Sequence, residues 1–110
     1  MKSYDVVTAY VSFTQGNGGK RRSVLIIFDD GENLLVFSIT SRYEKKSERI
    51  KAKYYKLQDW QALNLKKQSY IDTNQAYQIG REALTSFQVL GHLSQTDING
   101  LDELLMKERN

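Results

Sequence analysis

Hydrophobic and polar positions alternate over residues 6–13, with Val7, Ala9, Val11 and Phe13 on one face and Thr8, Tyr10 and Ser12 on the other. A period of two in β-branched and aromatic residues predicts a half-buried strand. Gln15-Gly16-Asn17-Gly18-Gly19 follows and predicts a loop, because glycine takes positive φ at little cost. Residues 24–28 are apolar throughout and read as a central strand. Asp29-Asp30-Gly31-Glu32-Asn33 carries the Asp-Gly signature of a hairpin, with residues 34–39 as the returning strand.

Beyond Thr40-Ser41 the pattern weakens. Residues 42–48 are polar and charged, and residues 49–57 alternate through Ile50, Ala52 and Tyr54, which predicts a strand with basic residues on its other face. Asp59-Trp60-Gln61-Ala62-Leu63 predicts one helical turn capped by Asp59. Residues 69–72, 76–79 and 87–90 are further short strands, the last ended by Gly91. Then the period changes. Ser94-Gln95-Thr96-Asp97 offers capping oxygens, and Ile98, Leu101, Leu104 and Leu105 recur at helical spacing. Gly100 weakens that helix by roughly 1 kcal/mol relative to alanine. Short strands followed by one amphipathic helix predict a mainly β fold, a small barrel or strongly curved sheet with a C-terminal α-helix packed on it.

A length of 110 residues suits one domain, residues 1–110, with one core. Charged residues are 26% and apolar ones 40%, ordinary values for a globular chain. There is no cysteine, which excludes disulfides, thiolate metal ligands and a cysteine nucleophile. Proline is also absent, so turns must be read from Gly, Asn, Asp and Ser. Residues 1–5 lead straight into a mixed segment, and neither a signal peptide nor a membrane span is expected. The expected compartment is the cytoplasm.

The net charge of +3 is unevenly spread. Residues 14–67 hold twelve Lys/Arg against six Asp/Glu, whereas residues 68–110 hold three against six. The basic part has the footprint of a surface that meets phosphates, or else of a solvated strand face.

Most enzyme signatures fail. There is no G-x-x-x-x-G-K-[ST], no G-x-S-x-G and no H-E-x-x-H. Gly16-Asn17-Gly18-Gly19-Lys20 leads into a strand rather than a helix, so it is a poor phosphate loop. His92, the one histidine, sits between a strand end and a helix start, the place of a surface or capping residue more than of a base. No clustered ligand spacing suggests a metal, and no cofactor is expected. Lys20-Arg21-Arg22 is more informative. These cations sit where a glycine-rich loop feeds the most apolar strand, so a guanidinium rooted there can grip a phosphate in two-pronged fashion, or the three form a solubilising charge cluster at a strand end. If Asp30-Gly31 makes the turn, Arg22/Ser23 and Thr40/Ser41 fall at the same end of the hairpin. Hydroxyls beside a guanidinium make a phosphate cradle, or they terminate the strand by bonding local backbone.

Taken in order, Lys20-Arg21-Arg22-Ser23-Val24-Leu25-Ile26-Ile27, the return to Ile39-Thr40-Ser41, Leu65-x3-Ser69-Tyr70-Ile71-x3-Gln75 and Val89-Leu90-Gly91-His92-Leu93-Ser94 with its helix resemble the MazF/PemK toxin family over residues 4–106. The resemblance implies an SH3-like barrel, a homodimer, cleavage of single-stranded RNA at short sequences, and neutralisation by a cognate antitoxin. It also implies that Arg22 and Thr40 form the active centre, with Lys20, Arg21, Ser41, Arg42, Tyr43 and Gln75 as the nucleic-acid-binding set. Tyr43, Tyr54 and Tyr55 are the aromatics available to stack on bases, core packing being the alternative use of each. Two departures stand out: Ser23 follows the arginine where the family usually has proline, and the loop before it carries no carboxylate or histidine. They leave a nucleic-acid-binding barrel without catalysis as a second reading. A peptide-binding module using Trp60 is a third.

Overall fold

A computed structural model describes residues 1–11 and 20–108, so residues 12–19, with the end of the first predicted strand and the glycine loop, lie outside it. Six strands alternate with short helical pieces: β1 (Asp5–Val11), β2 (Lys20–Asp29), β3 (Asn33–Thr40), α1 (Glu48–Lys51), β4 (Tyr54–Lys56), β5 (Tyr70–Gly80), β6 (Leu84–His92) and α2 (Gln95–Glu108), with a 3-10 turn at Trp60–Leu63. All pairings are antiparallel in one sheet of order β4-β5-β3-β2-β1-β6. The mainly β expectation holds, with one qualification of shape: among the described residues the sheet curls without closing.

Alternation in β2 shows why the sheet needs two coverings. Val24 and Ile26 enter one core with Val7, Ala9, Leu34, Val36 and Ile79. Leu25 enters the other, with Val6, Phe37, Leu57, Leu63, Ile71 and Leu101. The second core is roofed by α2 and the 3-10 turn. The first is built from residues of β1, β2, β3, β5 and β6, so the curl of the sheet buries it. Register shifts in β1–β6, β2–β3 and β3–β5 supply the bending.

The hairpin is built as its sequence predicts. The Asp30 carboxylate accepts from the backbone N–H of Glu32 at 2.9 Å and of Asn33 at 2.7 Å, while Gly31 takes φ of 96°. Asp29 accepts from Gly31 N–H and is clasped by the Arg81 guanidinium, tying this turn to the β5–β6 connection.

Four local expectations are corrected. The two strands predicted at 69–72 and 76–79 are one strand, β5, interrupted by a bulge where pairing steps from Ser38↔Asp72 to Phe37↔Ala76. Asn74 bonds the Asp72 carboxylate there, and Thr73 bonds the Lys53 carbonyl, which breaks the period that the sequence shows. Residues 49–57 are not one strand. Ser47 caps a helical turn at Glu48–Lys51, and only Tyr54–Lys56 pairs. Asp59 makes no capping bond with its side chain, because its backbone N–H is drawn instead to the Asp97 carboxylate. Gly91 does not end β6 but pairs with Val6; a Cβ there would lie 3.1 Å from Leu63 Cδ2, so glycine lets the 3-10 turn approach.

Gly100 has a similar reason. A Cβ at that position would fall 2.5 Å from the Tyr55 ring, whose hydroxyl donates to Asp97 at 2.7 Å. Tyr55 is therefore a docking residue for α2, not a base-stacking one. We expect Gly100→Ala to lower the urea-unfolding midpoint, although alanine is the better helix former by roughly 1 kcal/mol.

The Arg81 guanidinium, chief among its neighbours, holds the Asp29 carboxyl well below its ordinary 3.8, at about 2. A depressed carboxylate stabilises the fold above its unfolded value and ceases to do so as pH falls through the folded one. The difference in melting temperature between wild type and Asp29→Asn should accordingly be constant near neutrality and shrink between pH 4 and pH 2, both flanking values that follow from this shift.

Candidate functional site

The β2–β3 register pairs Ser23 with Ile39, so Arg22 and Thr40 each stand one step beyond at the same end of the hairpin. On its other side β3 pairs Thr40 with Tyr70. That three-strand end opens into a groove of about 480 Å³, lined by Arg21, Arg22, Arg42, Lys66 and Lys67 together with the hydroxyl residues Ser23, Ser38, Thr40, Ser41 and Ser69. Ile39 and Leu65 complete the lining. Among the described residues, five cations and no carboxylate or imidazole make the groove a receptor for anions.

Local bonding sets how these groups are presented. The Thr40 hydroxyl accepts from the Arg42 backbone N–H at 3.0 Å, turning the chain out of β3. It keeps its own proton to donate. Arg21 Nη1 donates to the Ser86 carbonyl at 3.2 Å, which anchors it toward β6. Ser69 is buried and donates to the Lys67 carbonyl at 2.9 Å.

Of the residues predicted for the site, Arg21, Arg22, Thr40, Ser41 and Arg42 come together in this groove. Lys20 opens β2, but its side chain lies outside the described part of the structure. Tyr43 borders a second hollow that shares Ser41 and Arg42 with the first. Its ring is stacked on Tyr70, with centroids 4.3 Å apart and planes 7° apart, and Lys51 Nζ lies 4.8 Å over it. Tyr54 completes the cluster at 6.0 Å from Tyr43 and 6.2 Å from Tyr70. Burial, then the nearby Glu44 and Tyr43, push the Tyr70 hydroxyl above its usual range, so it remains a neutral donor. Gln75 sits exposed in the β5 bulge, away from the groove lining. His92 also lies elsewhere, with Nδ1 3.0 Å from Asp5. Trp60, partly buried, packs against the second core.

Lys66, Lys67 and the Tyr70 stack were missed from sequence. Lys66 and Lys67 stand immediately before a predicted strand, but only the β3–β5 pairing carries them to Thr40. Among the described residues no three His, Asp, Glu or Cys gather in a way that suits a metal ion. No helix there is long and apolar enough to cross a membrane.

The sequence model of a protein family described as PemK-like, MazF-like toxin of type II toxin-antitoxin system matches residues 2–108. The chain belongs to that family. Membership implies an antitoxin as partner, and it places the hairpin-end groove in a fold used by toxins. No curated protein matches the chain.

The Tyr43–Tyr70 stack joins the segment after Thr40 to β5. Replacing Tyr70 with leucine should cost about 1 kcal/mol, the usual worth of such a pair beyond its area. Amide hydrogen exchange across residues 41–46 should quicken more than exchange in α2.

Proposed function

We propose that this chain is an endoribonuclease toxin that binds single-stranded RNA in the hairpin-end groove and cuts it with Arg22 and Thr40. The observation that carries the reading is the groove lining, five cations with hydroxyls and no acid among the described residues, in a member of a toxin family. A polyanion is the natural occupant of such a surface.

The chemistry needs little else. The RNA 2′-oxygen attacks the adjacent phosphorus, and the bond from phosphorus to the 5′-oxygen breaks. A 2′,3′-cyclic phosphate and a 5′-hydroxyl result, with the attacking hydroxyl's proton lost and one returned to the leaving oxygen. Negative charge grows on the phosphoryl oxygens as the bond forms. The Arg22 guanidinium is positioned to stabilise it, and the Thr40 and Ser41 hydroxyls to orient it. The proton of the 2′-hydroxyl passes to solvent and the leaving 5′-oxygen takes one back from solvent, at some loss of rate relative to a positioned base. The substrate supplies the nucleophile, so no metal is needed and DNA is not cut. We place the toxin in the cytoplasm, where its RNA lies, as a single-domain homodimer held in check by a cognate antitoxin that covers the groove.

A second reading is favoured by one observation: among the described residues no imidazole or carboxylate lines the groove. Such a surface also suits a barrel that binds nucleic acid without cutting it.

One experiment separates the two. On induced expression the wild type should arrest growth, and purified protein should cut single-stranded RNA in the presence of a chelator. Arg22→Ala should reduce cutting on the order of a hundredfold or more, as expected for loss of a donor to a developing oxyanion, with an unchanged melting curve. Salt-dependent binding without any cleavage product would select the second reading.

A further inference from the structure

The proposed chemistry uses the β2 and β3 side of the groove and leaves its other wall unassigned. That wall is the bend at Lys66–Lys67, immediately before β5. Since β3 lies between β2 and β5, the bend is two strand spacings from Arg22, or roughly 10 Å. Side chains entering from both walls leave room for two neighbouring phosphates, one at Arg22 and the next along the RNA nearer the bend.

The bend is also a built feature. Leu65 before it packs against the second core. After it, Gln68 Nε2 donates to the Leu57 carbonyl at 2.7 Å and to the Ser69 carbonyl at 3.1 Å, and Leu57 N–H donates to the Ser69 carbonyl at 3.1 Å. Ser69 Oγ closes the turn on the Lys67 carbonyl. Backbone mobility is thus removed from both ends, while the two ammonium side chains stay exposed in the groove. Among the described residues neither lysine is paired with a carboxylate. A pair of solvated surface lysines has no need of such a scaffold; a phosphate clamp does, because a fixed root spares the ordering entropy on binding.

We infer that Lys66 and Lys67 form a second phosphate site, which holds the phosphate adjoining the scissile one and sets the register of the strand over Arg22 and Thr40. This rests on the RNA-cleaving reading above. The two lysines are positioning residues and touch no reacting atom.

The test compares the double variant Lys66→Gln/Lys67→Gln with Lys53→Gln/Lys107→Gln, which removes the same charge from residues outside the groove. Each is titrated against an oligonucleotide carrying a 2′-deoxy residue at the cleavage position, across a range of salt concentrations. Loss of one single-strand phosphate contact should lower the salt slope of log affinity by roughly 0.7. Affinity at low salt should fall on the order of tenfold. KM on cleavable RNA should rise by a similar factor, with kcat changed less than about twofold, as loss of uniform binding requires. Lys66→Arg/Lys67→Arg should restore the slope. An unchanged slope, or an equal fall in the control variant, overturns the inference and leaves the RNA-cleaving reading standing. If wild type binds no oligonucleotide even at low salt, the reading itself fails and the inference falls with it.

Discussion

Asp97 is completely buried, and its carboxylate is surrounded by donors: the Tyr55 hydroxyl at 2.7 Å, the Gln58 backbone N–H at 2.8 Å and the Asp59 backbone N–H at 3.0 Å. The Ser94 hydroxyl adds a fourth at 3.4 Å. Taking an ion out of water is costly unless its lone pairs are met, and here they are met by three different segments. The first turn of α2, the end of β4 and the start of the 3-10 turn are thereby locked together. In a capping box the residue at this position would reach back to its own helix start. Ser94 does cap Asp97 N–H at 3.2 Å, but the carboxylate turns outward to gather the neighbouring chain. Gly100 removes the side chain that would keep Tyr55 away.

The groove inherits its shape from that lock. The chain between β4 and β5 carries Leu57, Leu63 and Leu65 into the second core, and the same chain delivers Lys66, Lys67 and Ser69 to the groove. On the other side, the Asp-Gly turn and its Arg81 clasp fix the β2–β3 register that brings Arg22 beside Thr40. The two constraints lie at opposite ends of the sheet, and the site is where their consequences meet. A slip of one residue in the hairpin would turn Arg22 to the other face. Loosening α2 would release the far wall instead. Positive charge can then be concentrated without collapse, since each cation is rooted in separately anchored backbone.

Patterns with one repeating period were legible. The alternation of β1, the apolar run of β2, the Asp-Gly turn and the helical spacing of α2 each depend on local geometry, which repeats along the chain. Where tertiary contacts broke the period, sequence reading went astray. The β5 bulge looks like a gap between two strands because Thr73 and Asn74 answer to Lys53 and Ile50, far off in the chain. The turn at Glu48–Lys51 is too short to show a full helical repeat, so its weak alternation reads as part of a strand. Tyr43 and Tyr55 looked alike as spare aromatics; one faces Tyr70 and the other Asp97.

By itself the sequence determined a mainly β chain with a terminal helix, a basic N-terminal part and a hairpin whose open end joins Arg22 to Thr40, because strand period and turn chemistry are local properties. The family resemblance was legible for the same reason, in short segments kept in order. Tertiary structure decided the rest: that β5 lies against β3, that Lys66 and Lys67 therefore share a groove with Arg22, and that a buried aspartate holds α2 in place. Those depend on pairings between residues far apart in the chain, whose partners no local pattern names.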